Sequence, residues 1–200
     1  MYSIINVSKT IIVFFCLIFA SELYADTKKY VLDPHHTTVT WSVDHFGYTK
    51  ITGKLLANGT LMLDKSKPQD AKITVTIDMD SMTTSILKFT KKLSGKDFFN
   101  FAKYPTATFV SHKIELTGKD SAKIYGTVTI HNISKPLVLN AKLNKMGIHE
   151  YRKKQVVGFS ATTTLKRTDF DLGAYAPGVS DEVTINIELE ALVGFVPEKN

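Results

Sequence analysis

The chain is almost without cysteine, since Cys16 is the only one in 200 residues. It lies in an apolar N-terminal run, residues 11–20, which is too short for a typical membrane span of about 20 residues. We interpret residues 1–25 as a secretory signal peptide that is cleaved before Asp26, with a retained anchor as the alternative. Cleavage would leave the mature chain, residues 26–200, without a disulfide, a thiol nucleophile or a cysteine metal ligand.

Motifs of several function classes are also missing. No nucleophile elbow, phosphate-binding loop or zinc-protease motif occurs, so we predict no enzyme, no catalytic residues and no cofactor. The formal charge of +6 favours anionic surfaces in general. The lysines are scattered without an arginine-rich tract, however, so we predict no nucleic-acid partner. No low-complexity linker divides the mature chain, which predicts one domain.

What the mature chain has is alternation of apolar and polar residues, typical of strands with one buried face. Val39, Trp41 and Val43 form one such row. The pattern predicts eight to ten strands, and Asn58-Gly59 is typical of a tight hairpin turn between two of them. Further rows predicted to share a face are Ile73, Val75 and Ile77; Ile124, Val128 and Ile130; Leu137, Leu139, Ala141 and Leu143; Val157, Phe159 and Ala161; and Val183, Ile185, Ile187 and Leu189.

Such a sheet can form a sandwich or close into a barrel, and closure removes the exposed edges. An outer-membrane pore would need an apolar outer row and a polar lumen. The polar row of Lys72, Thr74, Thr76 and Asp78 would then fill the lumen with charge. The pattern therefore favours a barrel or sandwich with an apolar interior.

One aromatic-rich insertion, near residues 85–102, interrupts the strands. Ser94 and Asp97 are spaced as in a capping box that begins a short helix, and Pro105 would end it. We predict that this helix gathers the phenylalanines that follow Asp97 and covers one end of the sheet.

The insertion resembles the D-F-F-x-x-x-K-Y-P-x-x-x-F core of the YceI-like proteins, in the residues Asp97-Phe98-Phe99, Lys103-Tyr104-Pro105 and Phe109. Similar features include Asp33 with His35, His45-Phe46-Gly47 and Arg167-x-Asp169-Phe170. The resemblance covers residues 30–191 and implies an all-β fold, an antiparallel lipocalin-like β-barrel of about eight strands. The family usually has Asp and His where this chain has Thr90 and Lys92.

The resemblance also implies that the barrel interior binds a polyisoprenoid lipid. From the residues alone an ordinary aromatic core is the alternative, although Gly53 and Gly126 would leave gaps in strand interiors. The residues predicted to line a hydrophobic tunnel are Trp41, Phe46, Tyr48, Phe98, Phe99, Phe101, Phe109, Phe159 and Phe170.

Basic residues near the insertion are candidates for binding the lipid head group. Lys88, Lys91, Lys92 and Lys96 lie close to the predicted helix start at Ser94, where unpaired N–H groups would also attract a phosphate. The alternative is a solvated face of an amphipathic helix.

Three histidines and one pair of opposite charges are further candidate sites in the sequence. His35 and His36 would face opposite sides of a strand, so with His45 they do not predict a metal site. Arg167 and Asp169, two residues apart on a strand, would form an ion pair that pins the following loop.

These features predict a periplasmic protein that binds, stores or transports a long isoprenoid. The alternatives are binding of an isoprenoid quinone or fatty amide, an enzyme that acts on such a lipid, and a stress-response protein with a filled core. Transient membrane contact and, from the resemblance, a homodimer are left open.

Overall fold

The computed structural model describes residues 26–197, which form a nearly all-β structure. The predicted signal peptide, residues 1–25, lies outside the described residues, so its cleavage remains a prediction. The elements are β1 (Lys28–Leu32), β2 (Thr38–His45), β3 (Thr49–Leu63), a 3₁₀ helix (Pro68–Asp70), β4 (Lys72–Thr84), α1 (Leu87–Leu93), β5 (Thr106–Leu116), β6 (Ser121–Ile130), β7 (Ile133–Ile148), β8 (Gln155–Lys166), a second 3₁₀ helix (Arg167–Phe170) and β9 (Glu182–Val193).

The strands form one antiparallel sheet that closes into a barrel. Strands β3 to β9 pair in chain order, and β1 and β2 lie end to end in the gap between β9 and β3. Tyr30 of β1 is opposite both Leu61 and Val193, while Trp41 of β2 is opposite both Gly53 and Ile185. Because β1 and β2 together make one segment of the wall, the nine strands form a barrel with eight wall segments. The predicted lipocalin-like barrel is confirmed.

The predicted apolar rows face the barrel interior, because side chains of a strand alternate between its two faces. The hairpin predicted at Asn58-Gly59 is wrong, since β3 runs straight through both residues. A Cβ added at Gly59 would lie 2.2 Å from the carbonyl oxygen of Thr74. This glycine therefore permits close approach of β4 and does not mark a turn.

The connections between strands divide between the two ends of the barrel. The helical end carries the β2–β3 turn, α1 with the turns after it, the β6–β7 turn and the β8–β9 connection. The opposite end carries the β3–β4, β5–β6 and β7–β8 connections. This division follows from the alternating direction of antiparallel strands.

The helix lies earlier in the chain than predicted. It ends at Leu93, and Ser94 is its C-cap, so the capping box at Ser94 and Asp97 is wrong. The Ser94 hydroxyl donates instead to the carbonyl oxygen of Lys91, at 2.9 Å. Buried Leu93 and Phe101 belong to one cluster with Trp41 and anchor the insertion on the barrel.

Candidate functional site

An apolar cavity of about 790 Å³ runs through the barrel. Its walls combine residues of the helical end, such as Phe98, with residues of the opposite end, such as Leu116. The volume is in the range of pockets that enclose a small ligand. The interior of this barrel is therefore not a filled core.

Polar side chains of the cavity wall lie mainly at its ends. Two threonines line its interior, and both of their hydroxyls donate to backbone carbonyl oxygens: Thr163 to Val138 at 2.8 Å and Thr37 to Glu190 at 3.3 Å. Both threonine donors are engaged, and the Trp41 indole N–H is a donor without a partner among the described residues, in a wall whose middle is otherwise mainly hydrocarbon. Such a wall suits an apolar chain without directional polar groups.

Most of the aromatic residues predicted for the tunnel do line the cavity. Those that contribute to its wall are Trp41, Phe46, Phe98, Phe99, Phe109 and Phe159. Phe46 and Phe98 belong to the helical end, whereas Phe109 and Phe159 come from the strands β5 and β8. The cavity therefore has aromatic walls both at its mouth and along its length.

Three predicted tunnel residues lie elsewhere. Tyr48 is 90% exposed in the β2–β3 turn, so its placement in the tunnel is wrong. Phe101 and Phe170 are buried in clusters that pack around the cavity, but neither is part of its wall. The alternation of strands does not extend into turns and 3₁₀ segments, which is where these three side chains lie.

The glycines predicted to leave gaps are covered by aromatic rings. A Cβ at Gly53 would lie 2.3 Å from the Trp41 ring, and one at Gly126 would lie 2.4 Å from the Phe109 ring. Each ring packs against its glycine from a neighbouring strand. These glycines set the positions of the two rings and do not enlarge the cavity.

Of the four predicted head-group lysines, Lys92 alone lines the cavity within the described residues. Its ammonium lies 3.3 Å from the Tyr175 hydroxyl and 4.8 Å from the centre of that ring. Lys88 and Lys91 flank a shallow surface groove, and Lys96 is exposed. The helix N-terminus predicted at Ser94, whose N–H groups would bind a phosphate together with these lysines, is not there, because the helix ends at this residue.

Arg167, a residue of the cavity wall, holds the β8–β9 connection through backbone carbonyls. Its guanidinium donates to the carbonyl oxygens of Leu172, Ala174, Val179 and Ser180 at 2.6–3.0 Å. Burial lowers the pKa of Arg167, which nevertheless stays charged at neutral pH. The side chain pins the loop as predicted, but it does so without the ion pair to Asp169.

Away from the cavity lining, Asp33, His36 and Glu190 place potential metal-ligand atoms within 4.8 Å of one another. Asp33 is fully buried and already accepts from Arg152 Nη1 at 2.6 Å, while His36 Nδ1 lies 2.8 Å from the same oxygen. Burial raises the pKa of Asp33, but the hydrogen bonds from His36, Arg152 and the His35 N–H outweigh it and hold the pKa below its usual value. We interpret this group as an ionic contact between the β1–β2 junction and the β7–β8 connection.

The fold and cavity have counterparts among known proteins. The solved structure of BcnA from Burkholderia cenocepacia superposes with a TM-score of 0.72 at 22% identity, over 80% of this chain and 98% of that one. A YceI protein of Campylobacter jejuni superposes with a TM-score of 0.67 at 29% identity, over 78% of this chain and 90% of that one. A polyisoprenoid binding domain from Saccharophagus degradans superposes with a TM-score of 0.65 at 14% identity, over 82% of this chain and 98% of that one.

Sequence comparison agrees with the structural similarity. A UPF0312 protein of Pseudomonas savastanoi is 34% identical over 166 residues, which are 82% of this chain and 85% of that protein. One from Pseudomonas fluorescens is 32% identical over 178 residues, 88% and 91% of the two chains. The model of the YceI-like domain matches residues 30–191. The chain therefore belongs to the family of proteins with a YceI-like domain.

Proposed function

We propose that this protein binds a long-chain isoprenoid lipid in its barrel, and that it stores or transports this lipid in the periplasm without acting as an enzyme. The cavity of about 790 Å³, with its hydrocarbon middle and engaged threonine hydroxyls, is the observation that carries the proposal. The similarity to a polyisoprenoid binding domain adds support for the class of ligand.

The cavity offers enough contact for useful affinity without any polar contact to the tail. Burying about 500 Å² of apolar ligand surface contributes roughly 12 kcal/mol. Association costs of about 4 kcal/mol, at the low end of estimates, leave about 8 kcal/mol. That remainder corresponds to a Kd on the order of micromolar.

The head group is expected at the helical end, where the cavity wall carries positive charge. Among the described residues, Lys92 and Arg167 line it there without a carboxylate, whereas Lys65 and Lys119 of the opposite end are accompanied by Asp120. Four of the five Arg167 N–H donors are occupied by carbonyls, so Lys92 is the better candidate to contact a phosphate or pyrophosphate directly. To bind a phosphate, the Lys92 ammonium would have to leave the Tyr175 hydroxyl or contact both groups at once.

Other cargoes fit the same hydrocarbon wall, so the tail alone does not select the ligand. An isoprenoid quinone or a fatty amide would occupy the cavity equally well but would gain little from Lys92, because neither head group is anionic. An enzyme acting on such a lipid remains the alternative from another class. Turnover of prenyl phosphate that is lost in Asp169→Asn would support that alternative.

The first experiment is native mass spectrometry of the protein purified from periplasm, with extraction and identification of any bound lipid. Delipidated protein would then be offered a prenyl phosphate, a quinone and a fatty amide. We expect Lys92→Gln to weaken the phosphate ligand about tenfold and to leave the quinone unchanged, since a charge-assisted contact contributes about 1.5 kcal/mol. Lys96→Gln, which removes the same charge outside the cavity wall, is the control. A measured mass equal to that of the protein without ligand, together with no uptake of any of the three lipids, would refute the proposal.

Localisation and assembly are tested separately. Export predicts that the purified protein begins at Asp26 and fractionates with periplasmic markers. A homodimer predicts twice the monomer mass by light scattering in solution.

A further inference from the structure

Two adjacent aliphatic side chains are left exposed beside the mouth of the cavity. Ile86, just before α1, is 61% exposed, and Leu87, its first residue, is 84% exposed. Single exposed apolar residues are normal on protein surfaces, but neighbouring ones at a cavity mouth more often mark a contact site. The inner side of the same helix is anchored by buried Leu93 and by Thr90, whose hydroxyl accepts from the Thr84 N–H at 3.0 Å.

Further exposed rings extend this apolar surface to the cavity itself. Phe46 is 56% exposed and Tyr175 is 60% exposed, and both also line the cavity. The stacked pair of Phe98 and Tyr175, with Lys92 above both rings, connects α1 to the β8–β9 connection. An apolar chain leaving the cavity at this end would therefore meet apolar surface first.

Within residues 81–96, which carry this surface, all charged side chains are basic, and the acidic Asp80 and Asp97 lie immediately outside this stretch. The basic residues are Lys88, Lys91, Lys92 and Lys96. Lys88 and Lys91 lie one helical turn apart and border a groove with Ile86. Apolar side chains flanked by lysines are the composition of segments that enter the interface of an anionic membrane.

The opposite end also exposes apolar residues, but its charges are mixed. Ile148 is 60% exposed and Tyr151 is 89% exposed. Lysines there alternate with acids, as Lys119 does with Asp120. In the chain, the charged residues between Ile86 and Lys96 are all basic, whereas Glu150 lies between Ile148 and Tyr151, and this difference favours the α1 segment as the contact for an anionic surface.

We propose that Ile86, Leu87, Lys88 and Lys91 form a docking surface for an anionic lipid bilayer, which presents the cavity mouth to the membrane. Ile86 and Leu87 enter the boundary between head groups and acyl chains, and the two lysines contact lipid phosphates. This inference rests on the proposed function, since a lipid carrier must collect or deliver its cargo at a membrane. The contact is small, so docking is reversible.

Vesicle co-sedimentation tests the surface with protein purified from cells expressing the full chain. We expect binding to vesicles of phosphatidylcholine with phosphatidylglycerol, weakening with added salt, and little binding to phosphatidylcholine alone. The double variant Ile86→Ser, Leu87→Ser should lower partition to anionic vesicles about tenfold or more. Lys88→Gln with Lys91→Gln should lower it about 30-fold, because each lysine near such a surface contributes about fivefold.

Matched controls make the same changes elsewhere. Lys142→Gln with Lys145→Gln removes the same charge from exposed positions of β7. Ile148→Ser with Tyr151→Ser removes exposed apolar side chains at the opposite end. Both controls should bind vesicles like the wild type; controls that lose binding as strongly as the test variants would overturn the proposal.

Two further readouts separate this inference from the proposed function and from another occupant. The Ile86→Ser, Leu87→Ser variant should still take up detergent-solubilised prenyl phosphate, because neither residue lines the cavity. Uptake without any vesicle binding by the wild type would refute the docking surface alone, whereas no uptake by the wild type would refute lipid carriage. A dimer that this variant converts to monomer would show that a second copy covers the patch, which would also overturn the proposal.

Discussion

Filling the cavity from its wall should shorten the lipid that the protein accepts. Ala122, Ala141 and Ala161 are paired side by side on β6, β7 and β8, and all three line the cavity. Three short side chains at one level leave room for the carbon chain of a ligand. Ala161→Phe would place a phenyl ring in that space.

The expected size of the effect follows from the carbons displaced. The ring has six carbons and takes the place of about one five-carbon isoprene unit. At about 0.8 kcal/mol per buried CH₂, excluding that unit costs a long prenol about 4 kcal/mol, on the order of 10³-fold in Kd. A prenol shorter by one unit should bind Ala161→Phe nearly as well as it binds the wild type.

The assay is a titration of prenols of increasing length, read by native mass spectrometry, with urea unfolding of each protein. Thr164→Phe adds the same ring on the outer face of β8 and should change neither length preference nor affinity. Ala161→Phe should also keep its stability, because the ring enters open space. Unchanged affinity for long prenols together with a loss of 1–3 kcal/mol of stability would mean that the interior is packed and the reasoning is wrong.

Three further predictions concern the residues that shape the barrel and its ends. Gly53→Val should displace the ring of Trp41, the only tryptophan, and so shift its fluorescence and lower Tm. Arg167→Met should lower the free energy of unfolding in urea by about 3–5 kcal/mol, because four carbonyl oxygens lose their donor. It should also speed hydrogen exchange in residues 171–180. Unchanged exchange there would show that Arg167 does not hold the β8–β9 connection. Arg152→Met should cost about 2 kcal/mol, less than a fully buried pair, because Arg152 is 32% exposed. Because folding lowers the pKa of Asp33, the ionised carboxylate stabilises the fold above about pH 4, and this stabilisation is lost as the pH falls further. Unfolding measured against pH should therefore show a smaller loss of stability in acid for Arg152→Met than for the wild type.

The barrel wall could be predicted from the sequence because its signal is local. Each strand carries its own alternation, so rows such as Val39, Trp41 and Val43 identify the interior face without knowledge of the partner strands. The closure into a barrel was implied by the family resemblance, since alternation alone does not distinguish a barrel from a sandwich.

Local sequence does not predict structure where the outcome depends on residues distant in the chain. Asn58-Gly59 has the composition of a turn, but β4 pairs alongside and keeps β3 extended. Arg167 has an acid two residues away, yet the folded loop places four carbonyl oxygens, and not the Asp169 carboxylate, around its guanidinium. Ser94 has the spacing of an N-cap, but it lies at the C-terminus of a helix whose last residue, Leu93, is buried in the cluster around Trp41.

The two ends of the barrel are held by different kinds of contact, which bears on where a lipid enters. Near the opposite end, the ion pair of buried Asp33 with the partly exposed Arg152 ties the β1–β2 junction to the β7–β8 connection. At the helical end Arg167 fixes the β8–β9 connection, but α1 is attached through few buried side chains, with Leu93 the buried residue of the helix itself. Regions with few buried contacts open at lower free energy than the rest of a fold. We therefore expect α1 to move first, at the same end where Lys92 meets the cavity and where Ile86 and Leu87 would touch a membrane.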